Sequence, residues 1–244
     1  MSWTRFVVSF AVGAMVAAGS AGTVTLAQSP QDPAVTEVRQ ARDAARKDVD
    51  AYKAAGGAAG SPDHPAIKWD ATLWAFRERY PRTDAATTAT AEAVRLLAGA
   101  ELWDRAHARV DSLDPDDPAW ARVASVIYDE GITRKDLPTA IERLSRAAAA
   151  APSASVKSPV LVVLGRAYRR HGDSAAAIRA LETAKAASPG TPVAEEADGL
   201  LYEIKFLSVG LPAPAVEGKP RKGRALTMAS LRGKPVVLVF WGTT

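Results

Sequence analysis

Residues 161–190 read LVVLGRAYRRHGDSAAAIRALETAKAASPG, and this stretch decides the fold. Its apolar residues recur at intervals of three and four, which is typical of amphipathic helices. Gly165 and Ala177 are small where the two helices of a hairpin would cross, and Tyr168 and Leu181 are large enough to fill the groove between them. The stretch therefore predicts an antiparallel pair of helices.

The same residues resemble a tetratricopeptide repeat, a helical hairpin that recurs along a chain. Such repeats bury their apolar faces only by stacking, so we expect a short superhelix of hairpins with a concave groove. The resemblance implies a protein or peptide partner in that groove. Eight residues match the repeat in order: Leu161, Leu164, Gly165, Tyr168, Ala177, Leu181, Ala184 and Pro189.

The segments before this hairpin repeat parts of the same pattern. In residues 121–152, Tyr128 comes about three residues early, which we explain by a longer turn through residues 131–134. Residues 91–115 show a looser version, and residues 68–86 resemble the tail of another hairpin. The matching residues are Ala140, Leu144, Ala147 and Pro152 in the first segment, and Ala106, Val110, Leu113 and Pro115 in the second.

The region from residue 33 to residue 207 is Ala-rich, and Pro, Gly and Asp clusters divide it at intervals suited to short helices. Ala, Arg, Glu and Leu favour helices, and no convincing alternation of period two precedes Pro235. We therefore predict a mainly α fold, in which residues 33–207 form a repeat domain.

The first 27 residues resemble a secretory signal peptide. Arg5 precedes an uncharged stretch whose first half is strongly apolar and whose second half is small and polar. We expect cleavage after Ala27, or alternatively after Ala21, and export to the periplasm or another extracytoplasmic compartment. The alternative is an uncleaved anchor, because the uncharged run approaches the roughly 20 residues that span a bilayer.

Residues 208–244 resemble the opening of a thioredoxin-like redoxin, of the TlpA/ResA-like or peroxide-reducing antioxidant families. The resemblance lies in a Gly-x-Pro-Ala-Pro entry, a Leu-Arg-Gly-Lys turn and an apolar strand over residues 236–240. It departs from the family in a Lys/Arg-rich stretch over residues 217–224, where we expect a longer or divergent turn. The matching residues are Gly210, Pro212, Ala213, Pro214, Leu226, Leu231, Arg232, Gly233, Lys234 and Trp241.

That resemblance implies thiol–disulfide exchange or peroxide reduction, with a redox partner protein. In the family, a Phe-Trp-x-Thr sequence ends the strand, and the first active-site cysteine follows it within one or two residues. This cysteine lies at the start of a helix, which stabilises its thiolate. Thr243 and Thr244 occupy the positions just before it. The sequence is expected to stop just before that cysteine and to begin an incomplete α/β domain. The alternative is a helical scaffold without enzymatic activity.

Composition limits the chemistry of the residues present. The chain has 244 residues, of which 48% are hydrophobic and none is cysteine, so a sizeable core is possible and thiol chemistry is not. The net charge of +4 is spread among acidic residues rather than gathered in one block, and we expect no nucleic-acid partner. We predict no cofactor, no metal ion and no catalytic residue within the sequence given.

Three groups of residues are candidate sites. His64, His107 and His171 lack a second ligand at metal-binding spacing, which favours surface or loop histidines. An acidic loop, Asp111, Asp114, Asp116 and Asp117, offers oxygen ligands for a cation but lacks the pattern of a calcium loop, and Asp-Pro alternation is typical of turns. Four tryptophans could line a groove, although core packing is the favoured interpretation: Trp69, Trp74, Trp103 and Trp120.

Overall fold

The computed structural model describes residues 32–215 continuously, and beyond them residues 217–218, 226–227, 231–233, 235–237 and 239. The chain divides into two units, Gln28–Lys205 and a second one that combines Met1–Ala27 with Phe206–Thr244. The expected signal peptide, residues 1–27, lies outside the described residues.

The described part of the chain is mainly helical, as predicted. Side chains cap several of the helices: Asp136 accepts a hydrogen bond from Thr139 N at 3.3 Å, and Asp173 accepts one from Ala176 N at 2.9 Å. The helices of this part are α1 (Pro33–Ala54), α2 (Ala66–Arg79), α3 (Asp84–Gly99), α4 (Trp103–Asp111), α5 (Trp120–Thr133), α6 (Leu137–Ala150), α7 (Ala154–His171), α8 (Ser174–Ala187) and α9 (Pro192–Phe206).

Three successive hairpins, α3–α4, α5–α6 and α7–α8, turn in the same way. Each turn contains one residue in the left-handed conformation: Glu101 with φ 58°, Lys135 with φ 56° and Gly172 with φ 96°. The N–H of the residue that follows donates to the carbonyl five residues before it, an arrangement that closes the end of a helix. These hydrogen bonds are Leu102 N to Leu97 O, Asp136 N to Gly131 O and Asp173 N to Tyr168 O, each 2.9 Å long.

The expected longer turn through residues 131–134 is wrong, because residues 131–133 belong to α5. Counted from the left-handed residue, Gly131 takes the place of Tyr168, and Tyr128 takes the place of Gly165. The turn keeps its length, and the large and the small residue exchange positions along the first helix. The close helix approach moves by one helical turn accordingly.

Both glycines lie where two helices touch. A Cβ on Gly131 would be 2.7 Å from the Cβ of Ala140, and a Cβ on Gly165 would be 2.7 Å from Cγ of Leu181. Neither distance is tolerated by carbon atoms in contact, which approach to about 3.5–4.0 Å. Each hairpin thus depends on a missing side chain, although at a different height.

The looser repeat in residues 91–115 follows the same frame. Glu101 precedes Lys135 by 34 residues, and Lys135 precedes Gly172 by 37 residues. In this frame Pro118, not Pro115, corresponds to Pro152 of the next hairpin. The other matching residues expected here, Ala106, Val110 and Leu113, are all buried.

The first helices of these hairpins form a continuous row. Helix α5 packs closely against both α3 and α7, whereas the second helices α4, α6 and α8 make no comparable contact with one another. One core cluster runs through the row, with Leu97, Val123, Leu144, Val160 and Leu181 fully buried. A smaller cluster, centred on Val38 and Leu73, joins α1 and α2 to α3.

Helix α9 covers the last hairpin. Its buried residues Ala197, Leu201 and Ile204 continue the main core. Ion pairs tie it to both α7 and α8: Arg166 to Glu196 at 2.5 Å, Arg169 to Glu203 at 2.5 Å, Lys185 to Asp198 at 2.7 Å and Lys205 to Glu182 at 2.9 Å.

In the second unit, two short strands pair antiparallel. Strand β1 (Glu217–Gly218) lies beside β2 (Leu226–Thr227), with Gly218 opposite Leu226, so seven residues outside the described part join them. The connection is longer than a two-residue turn.

The buried strand expected over residues 236–240 is not found at its described positions. Val236 and Val237 lie outside any strand, and Val239 makes only an isolated bridge. Their side chains are 38%, 77% and 52% exposed. A strand stays buried on both faces only beside paired strands and covering helices, and the described strands of this unit are the two-residue pair β1 and β2.

The glycine contacts predict a difference between two substitutions of the same chemistry. Gly131→Ala should lower the free energy of unfolding by about 1–3 kcal/mol, because the new methyl group overlaps Ala140 and only a backbone shift can relieve it. Gly199→Ala, in the middle of α9 with open space around it, should raise stability by up to about 1 kcal/mol through helix propensity.

Urea unfolding followed by circular dichroism measures both changes. Equal effects of the two alanines would show that the close approach in α5–α6 does not limit packing.

Candidate functional site

One exposed face of the helical unit is built from equivalent positions of the first helices. Arg95 of α3, Asp129 of α5 and Arg166 of α7 each lie six residues before the left-handed residue of their hairpin. Four residues further on come Gly99, Thr133 and Arg170, which are also exposed. We call these six residues the first-helix face.

Of the three charged residues Arg95, Asp129 and Arg166, the two arginines each form an ion pair. Arg95 pairs with Glu92 at 2.7 Å, and Arg166 pairs with Glu196 of α9 at 2.5 Å. The carboxylate of Asp129 forms no hydrogen bond or ion pair within the described residues. Desolvation raises the pKa of Asp129, and the attraction of Arg95 and Arg166 opposes that rise only in part.

A second polar group lies where α4, α5 and α6 meet. Glu130 accepts from His107 Nε2 at 2.8 and 3.0 Å and from Arg134 Nη1 at 2.9 Å. The Arg134 guanidinium stacks over the Trp103 ring at 5.2 Å. The group ties α4 to α5 through side chains that are far apart in the sequence.

A cavity of about 20 Å³ lies beside Glu130, between α5 and α6. It is lined by Gly131, Arg134, Thr139 and Arg143, among others. Its size matches one water molecule and excludes an organic substrate. Arg143 Nη1 is buried there without a hydrogen-bond acceptor among the described residues, 3.9 Å from Asp111 Oδ1.

The histidine His64 has a structural role in the loop before α2. It is 2% exposed, and its Nδ1 accepts a hydrogen bond from Ala66 N at 3.1 Å. Its ring packs edge-on against Tyr52 at 4.8 Å. Burial lowers the pKa of His64, the Lys53 charge lowers it further, and Asp63 partly offsets both. His64 therefore helps to begin α2 in its neutral form.

Asp63 of the same loop accepts hydrogen bonds from Ser61 and, at 3.0 Å, from Tyr52 Oη. These bonds lower the pKa of Asp63, the contribution of Ser61 being the largest. Ser61, Asp63 and His64 do not form a catalytic relay, because the acceptor nitrogen of His64 is occupied by a backbone N–H.

The four aspartates of the acidic loop serve separate contacts. Asp117 pairs with Arg77 at 2.6 Å and accepts from Ala119 N at 2.8 Å, and Asp116 accepts from Ser153. Asp114 uses its backbone carbonyl, which accepts from the indole of Trp120, and Asp111 lies near Arg143. Within the described residues, no group of three or more potential ligands that could hold a metal ion is found.

The tryptophans are half-buried. Trp69 and Trp74 lie on α2 and Trp103 lies on α4, so none of these three is on the first-helix face. Trp69 donates to Asp48 at 2.7 Å. Trp74 packs against both core clusters, and Trp120, at the start of α5, packs against the main one. These contacts support core packing, the favoured interpretation, for Trp74 and Trp120.

Trp74 also lies beside a largely buried ion pair. Arg109 holds Asp70 in a two-pronged pair, with Nε to Oδ1 at 3.0 Å and Nη2 to Oδ2 at 2.9 Å, and its guanidinium lies 4.1 Å from the Trp74 ring centre. Asp70 is 4% exposed. The pair joins α2 to α4, so its role is structural.

Sequence reasoning missed Asp129, Glu130 and Asp70. Glu130 and Asp70 meet their partners across 23 and 39 residues, and no local spacing signals such pairs. Asp129 had a usable signal: once the hairpins are aligned on their left-handed residues, it falls between two arginines at the same position. His171, by contrast, ends α7 with an exposed side chain.

A scan of protein-family models finds no match to this chain. Searches of curated proteins and of solved structures likewise find no significant match. Among the residues that the structure describes, every helix is too short or too polar to cross a bilayer.

His64 predicts a pH dependence of stability. The pKa of His64 is lower in the folded chain than in the unfolded chain, so the unfolded chain binds a proton first as pH falls. The contribution of neutral His64 to stability is complete above the unfolded pKa of about 6.5 and declines as pH falls below that value. The slope should stay under about 1.4 kcal/mol per pH unit, the limit for one proton. Urea unfolding between pH 7.5 and 5 measures it.

His64→Asn is the matched control, because an amide oxygen can accept the Ala66 N–H but does not titrate. The wild type should lose more stability than this variant over the same pH interval. Parallel curves for the two proteins would exclude His64 as the source of the pH dependence.

Proposed function

We propose that the helical unit is a tetratricopeptide-like module that binds a protein or peptide partner on its first-helix face. One observation carries this proposal: successive first helices pack on one another while successive second helices do not. A row held together along one side curves toward that side, which makes the first-helix face concave. The partner is a protein segment, and neither a nucleic acid nor a membrane span is part of the proposal.

The distribution of side chains supports this surface. The tryptophans of α2 and α4 are occupied in packing and in cation–π contacts, whereas the six residues of the first-helix face are exposed. The cavity beside Glu130 has space for about one water molecule. We further propose that the protein acts outside the cytoplasm after loss of residues 1–27.

Site-specific cross-linking tests the binding surface. A photoreactive phenylalanine at Thr133, on the first-helix face, should give a covalent adduct with a defined protein in cells that export the chain. The same amino acid at Arg146, an exposed residue of α6, is the matched control and should give none. Mass spectrometry of the adduct identifies the partner.

Adducts in equal amounts from both positions would contradict a binding face on the first helices. So would the absence of adducts at Thr133 when the protein is exported and folded.

A second proposal concerns residues 208–244, where the resemblance to redoxins implies thiol–disulfide exchange or peroxide reduction. The antiparallel pair β1 and β2 lies between the Gly-x-Pro-Ala-Pro entry and the Leu-Arg-Gly-Lys turn, and this order supports the proposal. The 244 residues contain no cysteine, and both reactions need a thiolate. On this proposal, a cysteine encoded after Thr244 supplies it. A scaffold without enzymatic activity is the alternative.

Insulin reduction and peroxide consumption distinguish these functions. The 244-residue chain should be inactive in both assays because it lacks a thiol, whereas the gene read through its own downstream codons should yield an active protein. A Cys-x-x-Cys sequence in the extension would favour disulfide exchange, and a single cysteine would favour peroxide reduction.

Replacing the first cysteine of the extended protein by serine is the control. Turnover by the 244-residue chain itself, or an extension without cysteine, would overturn the enzymatic proposal and leave the binding module.

A further inference from the structure

The row Arg95, Asp129 and Arg166 sets positive, negative and positive charge at one repeated position of three adjacent helices. Each residue lies six positions before the left-handed residue of its hairpin, so the three occupy the same height on α3, α5 and α7. The charges of both Arg95 and Arg166 act on the Asp129 carboxylate, as expected of neighbouring side chains. We call them the charge row.

The spacing of the charge row follows from helix packing. Helices in contact lie about 8–10 Å apart, so equivalent side chains on successive first helices recur at about that distance. A polyproline II segment has three residues per turn and rises about 3.1 Å per residue. Its residues i, i+3 and i+6 therefore lie on one side at about 9.3 Å intervals, which matches the row. In a β-strand, residues three apart point to opposite faces.

The middle position is the one that lacks a partner in the free protein. Arg95 and Arg166 are compensated by Glu92 and Glu196, and Asp129 has no hydrogen-bonded or ion-paired partner among the described residues. A partner's ammonium or guanidinium group at Asp129 would supply this contact. Acidic groups on either side of it would meet Arg95 and Arg166 and would screen the cation from those two arginines.

We propose that the charge row recognises an extended, proline-rich protein segment with acidic, basic and acidic residues at positions i, i+3 and i+6. This inference rests on the proposed function and adds the chemical class of the partner. Asp129 is the specificity residue, because it selects the cation at the centre. The backbone of a polyproline II segment is preorganised, so little entropy is lost when it lies across the helices.

Two capped peptides of identical composition test the order of charges. Glu-Pro-Pro-Lys-Pro-Pro-Glu carries the proposed order, and Lys-Pro-Pro-Glu-Pro-Pro-Glu carries the same net charge in another order. Titration into the ¹⁵N-labelled protein at low salt, followed by NMR, should show tighter binding of the first peptide by about fivefold, from exposed ion pairs of ordinary strength. The shifted amides should belong to α3, α5 and α7.

Asp129→Lys should abolish this preference, because repulsion replaces attraction at the centre. Asp104→Lys makes the same charge change on an exposed position of α4 and should retain the preference. Circular dichroism verifies that both variants fold. If Asp129→Lys does not fold, Asp129→Asn replaces it in the binding experiment.

Equal binding of the two peptides to the wild type, or no binding of either, would overturn the inference. So would an equal effect of the substitutions at positions 129 and 104. If Thr133 still gives cross-links to a partner in that case, the binding function stands and only the charge order is wrong.

Discussion

The helical unit depends on how closely the two helices of a hairpin can approach each other. At the α5–α6 and α7–α8 crossings a glycine allows contact with Ala140 or with Leu181, where an added Cβ would come within 2.7 Å. The left-handed residue in each turn then fixes where the second helix starts. Because both constraints act within one hairpin, successive hairpins share a common frame, and equivalent surface residues line up without any direct interaction between them.

This dependence explains which parts of the fold could be predicted. The helices and the burial of Leu181 and Leu144 follow from local periodicity, which a sequence displays directly. The alignment of the α5–α6 hairpin with α7–α8 could not be predicted from this periodicity. Tyr128 stands at the position equivalent to the small Gly165, and Gly131 stands at the position equivalent to the large Tyr168. A pattern match fixed on residue identity interprets such an exchange as an insertion. The three hairpins share the geometry of their turns and not the identity of their residues. Lys135 adopts a left-handed conformation, which a lysine in the sequence does not predict.

The polar groups divide in the same manner. His64 and Asp117 act on backbone N–H groups two residues away, and contacts of this range belong to ordinary turn and cap chemistry. Asp70 and Glu130 instead meet partners on other helices, at places set by packing. No spacing in the sequence encodes those pairs, and only the assembled row of helices brings the groups together.

The same reasoning distinguishes polar residues that could bind a partner from polar residues that stabilise the fold. A polar side chain that the fold requires has its partners within the fold, as Asp70 has Arg109 and Glu130 has His107. Asp129 differs from both, since desolvation disfavours its charge and no described group forms a hydrogen bond or an ion pair with its carboxylate. The attraction of the two arginines offsets this cost only in part, so the charge of Asp129 does not stabilise the fold. Its placement between two arginines at a repeated height is intelligible if the compensating charge comes from another molecule.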